Sequence, residues 1–293
     1  MRADVRGIEI EYETFGEPSG DPLLLIMGLG AQLTLWDEAF CQMLAERGFY
    51  AIRFDNRDIG LSSYFDEAGL PDLPSLMMAA AEGRSIELPY RMDDMADDAA
   101  GLLEALGIER AHIAGASMGG MIAQTVAIRH ADRVKSLVSV MSSTGNPEAP
   151  QAKPEILARL MAPPAAEREA RIEQTVELAR TIGSPGFPFD VERVRERAAR
   201  DHDRAFHPEG AARQMAAILA QPNREPELAR LQVPALVIHG TADPLVPTEC
   251  GRMTARAISD AELLLIEGMG HDFPPATFEQ IADAIRANAD RVR

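Results

Sequence analysis

Short apolar runs alternate with longer amphipathic ones along most of the chain. From Gly7 to Thr14, Ile8, Ile10 and Tyr12 alternate with Glu9, Glu11 and Glu13, the two-residue period of a half-exposed strand, expected at a sheet edge. Leu23 to Met27 is continuously apolar and stops at Gly28, which predicts a buried strand. A helix is expected over Leu35 to Arg47, ended by Gly48. A strand over Tyr50 to Phe54 and the loop Asp55-Asn56-Arg57-Asp58-Ile59-Gly60 follow. The alternation continues with a helix over Arg91 to Leu106, a strand over Ala111 to Ala114, a helix over Met118 to His130 and a strand over Val134 to Val140. After a gap it resumes: strand Ala235 to His239, helix near Glu249 to Ile258, strand Glu262 to Ile266, and a helix from Phe278 onward. Strands alternating with helices predict an α/β class, with a mostly parallel sheet flanked by helices.

In the gap, from about Ser142 to Pro226, the strand period disappears. The segment is rich in Ala, Arg and Glu and is interrupted by Pro163, Pro164, Pro185, Pro188 and Pro222. It reads as a helical insertion that caps the sheet. The expected organisation is a core over 1–141, a helical cap over 142–226, and the second part of the core over 227–293.

Gly115-Ala116-Ser117-Met118-Gly119 has the form G-x-S-x-G between an expected strand and an expected helix, the setting of a nucleophilic serine on a sharp turn. Without that setting, Ser117 would be an ordinary helix N-cap. A serine hydroxyl needs a base within hydrogen-bonding reach. Of six histidines, His112 falls inside a strand, His130 ends a helix, His202 and His207 lie in the insertion, and His239 ends a strand in a glycine turn. His271, in Gly268-Met269-Gly270-His271 after the last strand, is the expected base, because loops at the carboxyl ends of parallel strands carry ligand sites. Asp243 heads the loop Gly240-Thr241-Ala242-Asp243-Pro244 and is the expected acid; its plainer role is a turn before Pro244. The stretch after the strand Val134 to Val140 reads Met141-Ser142-Ser143-Thr144 and holds no carboxylate that could replace it. Backbone N–H groups of Leu29, in Met27-Gly28-Leu29-Gly30, and of Met118 are the expected oxyanion donors. Gly28, Trp36, Met121 and Met269 are expected to line a substrate pocket; for Met121 core packing is an equal alternative.

Charge and cysteine content narrow the classes further. A net charge of -17 argues against nucleic acid, whose phosphates need clustered Lys and Arg. No run of about 18 apolar residues predicts a membrane span, and Met1 to Gly7 lacks the pattern of a signal peptide. Cys41 and Cys250 show no metal or redox spacing, so free thiols in a cytoplasmic protein are expected, with no metal and no cofactor.

Taken in order, Met27-Gly28-Leu29-Gly30, Asp55-Asn56-Arg57-Asp58-Ile59-Gly60-Leu61-Ser62, Gly115-Ala116-Ser117-Met118-Gly119-Gly120, His239-Gly240-Thr241-Ala242-Asp243 and Gly270-His271 resemble the α/β-hydrolase superfamily. Met27 and Asp58, where many members have His and Gly, are similar to the branch that contains aclacinomycin methylesterase. The resemblance implies an α/β-hydrolase fold and a cofactor-free serine hydrolase acting on a small-molecule carboxylic ester, with Ser117, His271 and Asp243 as its triad. Other readings stay open. The same triad serves cofactor-free haloperoxidases that make peracids, carbon–carbon bond hydrolases, amidases and acyl transferases, and a catalytically silent ligand-binding protein is the alternative outside enzymes. Oligomeric state, monomer or homodimer, is open as well.

Overall fold

The computed structural model describes residues 1–82, 84 and 87–292. Its eight strands form one sheet: β1 (Arg2–Val5), β2 (Ile8–Phe15), β3 (Asp21–Ile26), β4 (Phe49–Phe54), β5 (Ala111–Ala116), β6 (Val134–Val140), β7 (Ala235–Gly240) and β8 (Glu262–Ile266). The order across the sheet is β1-β2-β4-β3-β5-β6-β7-β8. From β4 through β8 all neighbours are parallel, whereas β1–β2 and β2–β4 are antiparallel.

Every residue of β5 and β7 is buried, as expected where helices cover both faces of a parallel sheet. The two-residue pleat sorts the strand side chains between two cores. Leu24, Ile26, Ile113 and Leu137 face one, and Leu23, Leu25, Ala114 and Val138 face the other. Helices α1 (Glu38–Glu46), α2 (Leu73–Ala81), α3 (Met92–Ala105) and α4 (Met118–Arg129) precede or follow the early strands. Between β6 and β7 the described residues contain no strand but five helices: α5 (Pro154–Leu160), α6 (Arg168–Ile182), α7 (Val191–Arg204), α8 (Pro208–Leu219) and α9 (Glu225–Leu228). The chain closes with α10 (Thr248–Ala257) and α11 (Phe278–Asp290). Among the described residues no helix is long and apolar enough to cross a membrane.

Two expectations need correction. The strand of Gly7 to Thr14 is not the sheet edge, because β1 pairs outside it. Arg-Ala-Asp-Val is too short and polar to announce a strand, yet Arg6 and Gly7, at φ 56° and 87°, make a tight turn that folds it back onto β2. The helix expected from Leu35 starts instead at Glu38, because the Asp37 carboxylate caps it by accepting from Ala39 N–H at 2.9 Å. Helix α2 has no polar–apolar period that announces it. Arg293, at the end of the expected third segment, lies outside the described residues.

Candidate active site

Strands β3, β5, β7 and β8 run parallel, so the loops that follow them emerge at one end of the sheet. Each sequence-expected polar group lies on one of these loops. Ser117 stands between β5 and α4 at φ 55° and ψ -121°, a conformation that costs an L-residue about 1–3 kcal/mol and persists only where its surroundings enforce it. Here the Ser117 N–H donates to Val140 O at 2.9 Å, and its carbonyl accepts from Gly120 N–H at 2.9 Å and Ser142 Oγ at 2.8 Å. Helix α4 packs so tightly on β3 that a Cβ on Gly119 would lie 2.1 Å from the carbonyl oxygen of Ile26. Glycine is the one residue that permits this approach, and the approach fixes the turn.

His271 Nε2 lies 3.0 Å from Ser117 Oγ, and His271 Nδ1 lies 2.8 Å from Asp243 Oδ2. The other Asp243 oxygen accepts from the backbone N–H groups of Leu245 at 2.9 Å and Val246 at 2.8 Å. Burial alone would raise the Asp243 carboxyl. The neighbouring imidazole of His271, His239 and the Val246 N–H outweigh burial and hold it at about 2, below the ordinary 3.8. An ionised carboxylate can only accept, so the His271 proton belongs on Nδ1 and the Nε2 lone pair faces the serine hydroxyl. His239 Nε2 is 2.8 Å from the Val246 carbonyl and 3.5 Å from Asp243 Oδ2, so its proton goes to the carbonyl and the carboxylate receives only a weak share.

The remaining histidines are held elsewhere. His112 bridges Ser136 and Asp21, His130 bonds Asp97, His202 accepts from Arg171, and His207 lies beside Arg213. Cys41 and Cys250 are free and buried, and burial pushes their thiols up to about 12 and about 11. Such thiols carry almost no thiolate at neutral pH.

The loop after β3 brings its backbone against the serine: a Cβ on Gly28 would lie 3.6 Å from Ser117 Oγ. Among the described residues the Leu29 N–H has no hydrogen-bond acceptor. Met118 opens α4, so its N–H has no acceptor within the helix. The loop itself is braced from behind. Gln214 of α8 accepts from Gly30 N–H at 2.9 Å, Asn56 donates to Met27 O at 2.9 Å, and Asp55 accepts from Leu33 N–H at 2.7 Å.

Above these groups is a cavity of about 930 Å³, walled by the strand ends below and by α6, α7 and α8 above. Gly28, Trp36 and Met121 line it, as do Leu29 and Met118. Met269 does not: its side chain is fully buried in the core shared with Ile266 and Phe278, and only its backbone faces the loop, where its carbonyl accepts from Ala242 N–H. A flexible apolar side chain beside the base reads equally as wall or core, and packing of the loop on α11 decides for core.

Two groups near the site carry no motif. Ser184 Oγ accepts from Gly270 N–H at 2.7 Å and donates to the Asp272 carboxylate. Arg197 lines the cavity from α7. A serine after a helix and one arginine among many in the insertion leave no sequence signal; their placement depends on how the insertion packs.

The family model described as alpha/beta hydrolase fold matches residues 21–274. The chain is 31% identical over 299 residues to rhodomycin D methylesterase DauP of Streptomyces sp., covering 94% of this chain and 93% of the relative. It is 26% identical over 286 residues to 3-oxoadipate enol-lactonase 2 of Acinetobacter baylyi, covering 95% and 93%. Among solved structures, it is similar to a meta-cleavage product hydrolase from Pseudomonas fluorescens, with a TM-score of 0.77, 20% identity, and coverage of 100% of this chain and 98% of that one. At that identity the structural likeness concerns the fold alone.

Proposed function

We propose that this chain, which belongs to the α/β-hydrolase fold family, is a carboxylic ester hydrolase that works through an acyl-enzyme on Ser117. The hydrogen-bonded series Asp243–His271–Ser117, at 2.8 and 3.0 Å, is the observation that carries this reading. His271 Nε2 takes the Ser117 proton as Oγ attacks the ester carbonyl. Negative charge then develops on the carbonyl oxygen, where the N–H groups of Leu29 and Met118 receive it; one such donor is worth about 2.7–4 kcal/mol. Asp243 stabilises the imidazolium without taking its proton. When the tetrahedral intermediate collapses, the alcohol leaves with the proton from Nε2. Water then gives a proton to Nε2, attacks the acyl carbonyl and releases the acid and Ser117. Every proton transfer uses His271.

The substrate class follows from the cavity and the relatives. A mostly apolar cavity of about 930 Å³ suits a bulky small molecule. Relatives named as methylesterases favour a methyl ester on such a body. The segment 142–226 acts as the cap, with 1–141 and 227–293 as the core, since α6, α7 and α8 supply the upper wall. Two unpaired buried thiols fit a reducing compartment, which supports a cytoplasmic location.

A fluorophosphonate probe tests the nucleophile. Wild-type protein should be labelled one to one and Ser117→Ala should not be, with 4-nitrophenyl ester hydrolysis reduced about 10⁴- to 10⁶-fold. Undiminished labelling of Ser117→Ala would overturn the assignment.

A further inference from the structure

The cavity wall carries a cation with no counterpart. Of the three arginines that line it, Arg193 is paired with Asp37, and Arg171 donates to His202 and to the carbonyls of Ala165 and Ala166. Arg197 has no hydrogen-bond or ion-pair partner among the described residues. The carboxylates nearest to it in electrostatic terms include Asp201, Asp37 and Asp272. Each is already engaged: Asp201 by Thr34 at 2.8 Å and Arg200 at 3.3 Å, Asp37 by Arg193 and Ala39 N–H, and Asp272 by Ser184.

A guanidinium cannot relieve its burial by releasing a proton, and partly buried charges are ordinarily paired. Trp36 lines the cavity, and its Nε1–H is buried with no acceptor among the described residues. A guanidinium only donates, so a ligand that satisfies it must bring acceptors. The fork of the guanidinium matches a carboxylate in two parallel bonds. Phe187, Phe273 and Met121 give the wall apolar surface that suits the body of such a ligand, and Asp37, Asp190, Asp201 and Asp272 line it as well.

We infer that Arg197 forms a subsite for a carboxylate carried by the substrate in addition to its scissile ester, so that the enzyme prefers half-esters of dicarboxylic acids or carboxylated alcohol groups over neutral esters. This rests on the ester hydrolase reading and narrows its substrate class. Arg197 acts on specificity; no proton transfer passes through it.

Paired substrates test it. Mono(4-nitrophenyl) adipate is compared with 4-nitrophenyl hexanoate, which places the charge on the acyl side. 4-Carboxyphenyl hexanoate is compared with phenyl hexanoate, which places it on the alcohol side. In Arg197→Met, kcat/KM for the charged member of one pair should fall about 10- to 100-fold, the range for a hydrogen bond to a charged group. Its neutral partner should change less than about threefold, and Arg197→Lys should fall in between. If Arg197→Met does not fold, Arg197→Gln carries the same comparison. Binding is read separately in Ser117→Ala, because Trp36 is the chain's single tryptophan. Monomethyl adipate should change its fluorescence saturably, and adding Arg197→Met should weaken that binding about tenfold or more. Equal losses for charged and neutral esters, or binding unaffected by the loss of Arg197, would overturn the subsite. A wild-type protein that hydrolyses none of these esters and takes no fluorophosphonate label would overturn the ester hydrolase reading, while the fluorescence titration still decides the role of Arg197.

Discussion

The serine turn and the histidine loop meet at one hydrogen bond but are held by different parts of the molecule. Around Ser117 the contacts belong to the sheet and to the residues that leave β6: Val140 O, Ser142 Oγ and the close approach of Gly119 to Ile26. The loop of His271 is tied partly to the loop after β7, where Ala242 N–H donates to Met269 O, and partly to the end of α6 and the residues that follow it. There His271 N–H donates to Ile182 O at 2.7 Å, Gly270 N–H to Ser184 Oγ at 2.7 Å, and Gly186 N–H to Gly268 O at 2.9 Å. The nucleophile is therefore set by a strained turn inside a fixed core, whereas the base depends on the helical insertion that also walls the cavity. Movement of the insertion would shift the base and leave the nucleophile in place.

The largest test of this difference lies in the turn. In Gly119→Ala the new methyl meets a backbone oxygen at 2.1 Å, and a strand backbone cannot yield as a side-chain end can. The expected result is a loss of more than about 4 kcal/mol, in the range that marks severe overpacking or strain, seen in urea denaturation or as failure to accumulate soluble protein. A variant that unfolds like wild type would mean the turn is not fixed by the core.

How far the sequence reveals the site follows the same division. The turn, the strand before it and the loops bearing Asp243 and His271 are local matters of period, glycine placement and chain order, and all were readable from residues close together in the chain. Edge strand β1 escapes because its pairing depends on a two-residue turn and not on its own pattern. Met269 is misjudged because apolarity cannot distinguish the core from a cavity wall. Ser184, Gln214, Arg197 and Arg213 escape for a different reason: the contacts that give them a role reach residues more than 80 positions away or none in the chain. Their roles exist only once the insertion has packed.

The next effect concerns how the insertion is pinned. Arg213 of α8 donates from Nε to Asp58 Oδ2 at 2.7 Å and from Nη2 to Asp58 Oδ1 at 2.9 Å, with both side chains buried. Arg213→Met leaves the Asp58 charge buried without its partner, which should cost about 3–5 kcal/mol. Arg213→Met combined with Asp58→Leu should recover part of that loss in urea denaturation. No recovery would mean that the pair contributes little beyond packing.

Asp243 gives a smaller, pH-dependent term. Its folded pKa of about 2 lies below the ordinary 3.8, so the stabilisation is present above about pH 4 and is lost as pH falls toward 2. The shift corresponds to about 2 kcal/mol. Asp243→Asn should be less stable than wild type by about that amount near neutral pH, and the gap in urea midpoint should close between about pH 4 and pH 2. A gap that stays constant across that range would show that the carboxylate's charge is not what the fold uses.

The smallest change in stability bears most directly on the comparison. Ser184→Ala removes the acceptor of Gly270 N–H and the donor to Asp272, one residue to either side of the base. Stability should fall by only about 1 kcal/mol, the ordinary net contribution of a hydrogen bond. The histidine, however, is held to the hydroxyl by a single 3.0 Å bond, and loosening its loop lowers the fraction of molecules with the base in reach. The expected signature is kcat reduced about tenfold, corresponding to about 1.4 kcal/mol, with KM nearly unchanged. Ser184→Thr, which keeps the hydroxyl, should restore most of the rate. A change in KM alone would assign Ser184 to the cavity wall. An unchanged kcat with lowered stability would mean that the bonds to the loop after β7 suffice to place the base, and the nucleophile and the base would then share one support.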